Sequence, residues 1–255
     1  MPTEKPVFML IAGALHPAWV WRHVVALLED SGFRVIARDL PGMGDNREMH
    51  VDNVTLADWT DDVVREIQSV GSPVILVGHS RGGLIVGEAA EQVPERVAAI
   101  VYVSALVVPR GRTAAEVMAM RPHDHVIAAP SGKSFTMAPD VVLALMYNRS
   151  DPQEASLTVA RLTPEPFAPL ITPAGITLAR WGKVPKIYVE LTDDRTLTLE
   201  RQRLIQSEVE LQDVIAIDAD HSPFLSAPEE LARALVAVAD GLAERPNRQD
   251  KRSRA

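Results

Sequence analysis

The apolar residues of this chain fall into two alternating patterns. Short, mainly apolar runs rich in β-branched residues lie at Val7 to Ala12, Phe33 to Asp39, Val74 to Val77 and Val97 to Ser104. Runs of that length bounded by turn residues predict strands buried on both faces. Between them are segments with helical spacing: Ala18 to Ser31, where Trp21, Val24, Val25 and Leu28 share a face, then Thr55 to about Val70, and Leu84 to Val93. Gly32 stops the first helix, and Thr55 with Asp58 three residues on is a capping pair that opens the second. Pro41-Gly42-Met43-Gly44-Asp45 reads as a loop from its turn residues. Strand and helix in alternation predict a doubly wound, mostly parallel sheet covered by helices on both faces.

From about Val107 to Trp181 the pattern changes. Pro109, Pro122, Pro130, Pro139, Pro152, Pro164, Pro166, Pro169 and Pro173 interrupt the segment, and no strand is evident. Residues 107–181 therefore read as a helical cap inserted after the fourth strand. Alternation then resumes with a strand at Lys186 to Leu191, a helix at Leu199 to Glu210, a strand at Val214 to Ile217 and a last helix at Pro228 to Ala243. The expected organisation is a core of 1–106 and 182–244, a cap of 107–181, and a polar, basic tail over 245–255 expected to be disordered. There is no internal repeat.

Composition narrows the classes. With 255 residues the chain can bury a sizeable core, and 47% apolar with 24% charged residues suits a globular enzyme. A net charge of −8 gives no basic stripe for nucleic acid. The absence of cysteine excludes disulfides, thiolate metal sites and a Cys nucleophile. The opening residues lack a basic segment, and the apolar run after them is too short for a signal peptide or a membrane span. The expectation is a soluble, cytoplasmic protein without a membrane partner.

The densest chemical signal is Val74-Ile75-Leu76-Val77-Gly78-His79-Ser80-Arg81-Gly82-Gly83. A strand ends in Gly-x-Ser-x-Gly and a helix follows at once, the pattern of a nucleophile elbow that presents Ser80 at the top of a sheet. Side chains at positions 78 and 82 would collide with neighbouring backbone in so tight a turn. A serine nucleophile needs a base, and the base needs an orienting acid. Asp193 and Asp194 follow the strand ending at Leu191, and His221 follows the strand ending at Ile217. All three strand ends reach the same rim of a parallel sheet, where ligands gather. Spacing alone leaves Asp193 and Asp194 open as the acid; Asp218 and Asp220 read as solvated loop residues.

The chain resembles an α/β-hydrolase of the branch that holds plant methyl esterases, hydroxynitrile lyases and related bacterial carboxylesterases. The resemblance rests on Ile11-Ala12-Gly13-Ala14-Leu15-His16-Pro17-Ala18-Trp19, Gly78 to Gly83, Thr192-Asp193-Asp194 with Arg201-Gln202, and Asp220-His221. It implies an α/β-hydrolase fold, with Ser80, Asp194 and His221 as the catalytic set. In that family the acid lies eight residues before a Gln, and Gln202 points to 202 − 8 = 194. It also implies an oxyanion hole made of the backbone amides of Ala14 and Arg81. The family commonly has His-Gly where this chain has Ala12-Gly13. The lyases carry a Lys after the catalytic His and a Thr in the first loop, where this chain has Ser222 and Gly13, so ester hydrolysis is expected in place of cyanide release. Dimers are frequent in the family, which makes a homodimer the assembly it suggests.

Other residues have plainer readings. The Arg81 side chain is expected to pair with surface acids, and His16 to bond locally under the first loop. His123-Asp124-His125 has metal-like spacing without a third partner, so no metal is expected. Gly13, Met118, Met137, Met146 and Trp181 are candidate pocket residues; Met120 also falls in the cap, and an apolar cap implies a hydrophobic substrate. No phosphate loop follows a strand, so no cofactor is implied. The expected activity is hydrolysis of a small to medium hydrophobic carboxylic ester through an acyl-enzyme. The alternatives are a lactonase, amidase, carbon–carbon hydrolase or cofactor-free cyclase on the same scaffold, or a non-catalytic ligand-binding homologue.

Overall fold

A computed structural model describes residues 5–118 and 125–252, with side chains to residue 242. The core opens with β1 (Val7–Ile11), a helical turn at 18–21 leading into α1 (Arg22–Asp30), β2 (Val35–Ile36), α2 (Leu56–Ser69), β3 (Val74–His79), α3 (Gly82–Gln92) and β4 (Val97–Val103). The cap follows as α4 (Ala114–Met118), β5 (Val126–Ala128), β6 (Ser134–Met137), α5 (Pro139–Met146), α6 (Pro152–Val159), β7 (Glu165–Pro166) and α7 (Phe167–Ile171). The core resumes with β8 (Lys186–Leu191), α8 (Leu199–Ser207), β9 (Asp213–Ile217), α9 (Pro223–Ser226) and α10 (Pro228–Arg252).

The central sheet has the order β2-β1-β3-β4-β8-β9, with every neighbouring pair parallel. This is the α/β-hydrolase architecture expected from the alternation. The central strands β1, β3 and β4 are apolar on both faces because both are covered. One face packs Leu76, Ile100 and Tyr102 against Trp59, Ile85 and Ala89 of α2 and α3. The other packs Phe8, Leu10 and Val77 against Trp21, Val24, Leu28, Leu231 and Leu235 of the α1 and α10 side. Strand order reverses between β1 and β3, the place where parallel sheets open a crevice at their carboxyl ends. Ile11 pairs with Gly78 and His79 with Val103, so the loop after β1, the turn after β3 and the segment after β4 meet there. Leu191 pairs with Ile217, which brings the segments after β8 and β9 to the same edge.

Local signals account for much of this. Thr55 and Asp58 form a reciprocal capping box at the start of α2. Pro139 and Pro152 stand in the first turns of α5 and α6, where a missing N–H costs nothing. Three differences from the sequence pattern stand out. The cap is not purely helical: β5, β6 and β7 form a small antiparallel sheet, with Ile127 opposite Thr136 and Phe135 opposite Glu165. Strands of two to four residues are too short to show a period. The second core strand is only Val35–Ile36, because Asp39 leaves the sheet edge to accept from Ala18 N and Asp45 N. The last helix runs to Arg252, past Ala243 where the apolar pattern stops and into residues expected to be disordered. Among the described residues no helix is long and apolar enough to cross a membrane.

Candidate active site

Ser80 occupies the turn between β3 and α3 with φ of +51°, a left-handed backbone that a non-glycine residue adopts only when its surroundings hold it there. Ser80 N donates to Val103 O at 3.2 Å, and Ser80 O accepts from Gly83 N and Leu106 N at 3.1 and 3.0 Å. The flanking glycines are steric necessities. A Cβ at Gly78 would stand 2.8 Å from Gly82 O, and one at Gly82 would stand 2.6 Å from Ile11 O. The strained turn leaves the hydroxyl at the floor of a cavity.

His221 arrives from the turn after β9. Its Nε2 lies 3.1 Å from Ser80 Oγ, and its Nδ1 lies 2.6 Å from Asp194 Oδ2. Asp194 is buried and receives three further bonds: Ser104 Oγ to Oδ2 at 2.6 Å, and the amides of Thr196 and Leu197 to Oδ1 at 2.8 Å each. These bonds leave the carboxylate no freedom to turn from the imidazole. Asp193, one residue earlier, faces the cap and accepts from Asn148 Nδ2 at 3.1 Å. The eight-residue spacing to Gln202 has a physical cause. The buried Gln202 amide bonds Leu191 N, Leu191 O and Leu197 O, so it spans both ends of the acid-bearing turn.

Several residues around this set were not foreseen. Asp220, expected to be solvated, is buried and accepts from Arg149 N, Ser150 Oγ, Ser222 N and Ser226 Oγ, which folds the turn carrying His221. Asp218 is the exposed member of the two, paired with Arg149 and Thr192. His79 donates from Nε2 to the carbonyl of His221 at 2.7 Å. Burial holds His79 neutral, its pKa well below the ordinary value, with the nearby His221 and His16 adding to the effect. His16 bonds Ala14 O through Nδ1 at 2.7 Å and Tyr147 Oη through Nε2 at 2.5 Å, and burial depresses its pKa to about 3. Ser222, at the position of the lyases' Lys, is buried. No local signal marks Ser104, His79 or Asp220, since each acts on a residue distant in sequence or on a turn whose shape the sequence does not show.

The cavity above Ser80 has a volume of about 290 Å3. Met118, Met137 and Met146 line it, joined by Phe135, Leu145 and Leu170. Two expected pocket residues do not. Trp181 is buried in the core that α3 covers, donating from Nε1 to Tyr102 Oη at 2.9 Å, with Lys186 Nζ over its ring. Gly13 packs beneath the site, where a Cβ would come within 2.7 Å of His79 Nδ1 and 3.0 Å of Ser80 Cβ. Ala14 and Arg81, whose amides are the expected oxyanion donors, both border the cavity beside Ser80. His123 and Asp124 lie outside the described residues, as does Met120; His125 reaches the cavity wall.

The Arg81 side chain corrects another expectation. It does not meet surface acids: it is buried against Glu165 of β7, with Nε 2.8 Å from Oε1, and lies 4.3 Å over the Trp59 ring. Burial pushes the Glu165 pKa up and the Arg81 pKa down, and their mutual attraction opposes both shifts.

Fold and site together define an α/β-hydrolase. The chain belongs to the alpha/beta hydrolase family, which its residues 8–234 match. It is 32% identical to Methylesterase 7 of Arabidopsis thaliana over 249 residues, covering 91% of this chain and 96% of that protein. Its fold is similar to that of polyneuridine aldehyde esterase, with 25% identity, a TM-score of 0.84, and coverage of 92% of this chain and 100% of that one. It is also similar to a pyrethroid hydrolase from Sphingobium faniae JZ-2, with 27% identity, a TM-score of 0.82, and coverage of 94% and 99%. The family read from the sequence motifs is therefore the family found.

Proposed function

We propose that this protein is a serine carboxylic-ester hydrolase acting on small to medium hydrophobic esters. The observation that carries this reading is the unbroken chain Ser80 Oγ, His221 and Asp194, with links of 3.1 and 2.6 Å, at the floor of a cavity lined mainly by apolar side chains, with Arg195 and His125 among its polar ones. Relatives named as esterases, Methylesterase 7 among them, support the choice of ester over other acyl substrates.

Ser80 Oγ attacks the ester carbonyl carbon while its proton passes to His221 Nε2. The carbonyl oxygen becomes an oxyanion facing the amides of Ala14 and Arg81, the latter at the start of α3, where helix amides also favour negative charge. Asp194 holds the tautomer with the proton on Nδ1 and stabilises the imidazolium. As the tetrahedral species collapses, the carbon–oxygen bond to the alcohol breaks, and the alcohol leaves with the proton from His221. Water then attacks the acyl-serine, giving a proton to His221; the bond to Oγ breaks, Oγ recovers the proton, and the acid departs. The apolar lining of Met118, Met137, Met146 and Phe135 suits an uncharged acyl or alcohol group.

Hydrolysis of p-nitrophenyl butyrate by wild type and by Ser80→Ala tests the proposal. Wild type is expected to turn over, and the folded variant to be inactive. A Ser80→Ala protein with near wild-type rate contradicts the assignment.

A further inference from the structure

The buried pair of Arg81 and Glu165 takes no part in the proton path, yet it lies directly behind the site. The two residues are 1% and 0% exposed. Removing both charges from water carries a large solvation cost, and apolar side chains of similar volume would fill the space without it. What an apolar pair could not do is hold backbone. Arg81 Nη2 donates to Gly13 O at 2.9 Å, and Glu165 Oε2 accepts from Leu15 N at 2.8 Å. The ion pair joins these two bonds, so the residues on either side of Ala14 are held by one unit.

The carbonyl of Gly13 and the N–H of Ala14 belong to the same peptide plane. In a trans peptide they point in opposite directions, and the chain has no cis peptide among the described residues. A guanidinium that grips Gly13 O from below therefore aims the Ala14 N–H the other way. The following peptide is fixed through Leu15 N, with Leu15 itself at φ of +67°. Arg81 thus provides one amide at the cavity from its own backbone and orients the other with its side chain. Glu165, the residue that holds the guanidinium in place, belongs to β7 of the cap.

We infer that Arg81, clamped by Glu165, is a positioning residue that sets the direction of the Ala14 amide toward the developing oxyanion, so that seating of cap strand β7 completes the oxyanion hole. The inference rests on the ester-hydrolase reading above. It concerns transition-state stabilisation, so its signature lies in kcat and in transition-state mimicry rather than in substrate binding.

The test uses Arg81→Met combined with Glu165→Leu, which keeps the Arg81 backbone amide and replaces the pair by apolar volume. Replacing a buried ion pair by apolar volume costs little in itself, but Leu15 N and Gly13 O lose their partners, so the double variant is expected to fold and to melt somewhat below wild type. Its kcat on p-nitrophenyl butyrate is expected to fall by about 10- to 100-fold, short of the loss on deleting a donor outright, with KM nearly unchanged. Binding of a trifluoromethyl ketone that forms the tetrahedral adduct is expected to weaken by the same factor. Glu165→Gln, isosteric and still able to accept from Leu15 N, gives a second route should the double variant fail to fold, with the same direction expected. A folded variant with wild-type kcat and wild-type ketone affinity overturns the inference. A wild type that hydrolyses esters through Ser80 while these variants match it removes the clamp alone; a wild type with no Ser80-dependent hydrolysis removes the proposed function as well.

Discussion

The two histidines behind the nucleophile make the fold sensitive to mild acid, and His16 allows the effect to be worked out. Its Nδ1 donates to Ala14 O, and its Nε2 accepts the Tyr147 hydroxyl, so the neutral ring is fully satisfied. Protonating Nε2 would oblige the hydroxyl to turn away and would leave a charge inside the core. The folded pKa is accordingly about 3, against 6.5 for the free side chain. The unfolded chain therefore binds a proton at this site below pH 6.5 that the folded chain refuses. Stability from this residue is complete above pH 6.5 and is lost as pH falls toward 3. At pH 5 the loss is 1.5 pH units at about 1.4 kcal/mol each, roughly 2 kcal/mol for His16 alone. His79 acts in the same direction, while the raised Glu88 and Glu165 carboxyls oppose it. A comparison between wild type and His16→Gln isolates the imidazole, because glutamine offers a donor and an acceptor and does not titrate. Urea unfolding at pH 7.5 and pH 5.0 is the assay. Wild type is expected to lose about 2 kcal/mol more than His16→Gln over that interval. Parallel pH dependences for the two proteins would refute the reasoning.

Two further outcomes follow from the site. Asp194→Asn would present an amide N–H to His221 Nδ1 and stabilise the wrong tautomer, so kcat on p-nitrophenyl butyrate should drop by about 10⁴-fold in a folded protein; a fall of less than tenfold in steady-state kinetics would contradict the role of Asp194. Met137→Trp would fill part of the cavity over Ser80 and should reduce kcat/KM for p-nitrophenyl butyrate relative to the acetate by about tenfold or more; an unchanged ratio would show that Met137 does not border the acyl site.

The parts of the molecule legible in the sequence are those with a local physical cause. The α2 capping box, the glycines of the elbow and the apolar strands β1, β3, β4 and β8 each announce themselves within a few residues, and the structure places them as expected. Gln202 is an intermediate case, because one side chain spans a single turn and so leaves a fixed spacing. The missed features are long-range. Ser104 meets Asp194 across 90 positions and Glu165 meets Arg81 across 84, and no period or motif records such a meeting. The cap sheet escaped for the same reason, since β7 is two residues long and pairs with a strand about thirty positions away. The place of Trp181 beside the cap suggests the pocket, but its indole finds a buried hydroxyl on Tyr102 and stays in the core.

The central claim is that the strained hydroxyl at position 80 is an activated nucleophile. Incubation with a fluorophosphonate, followed by intact-mass measurement and peptide mapping, tests it directly. The account predicts a single phosphonyl adduct on Ser80, formed quickly in wild type, slowly in Asp194→Asn, and absent in Ser80→Ala. A wild-type protein that stays unlabelled, or is labelled at another residue, would contradict it.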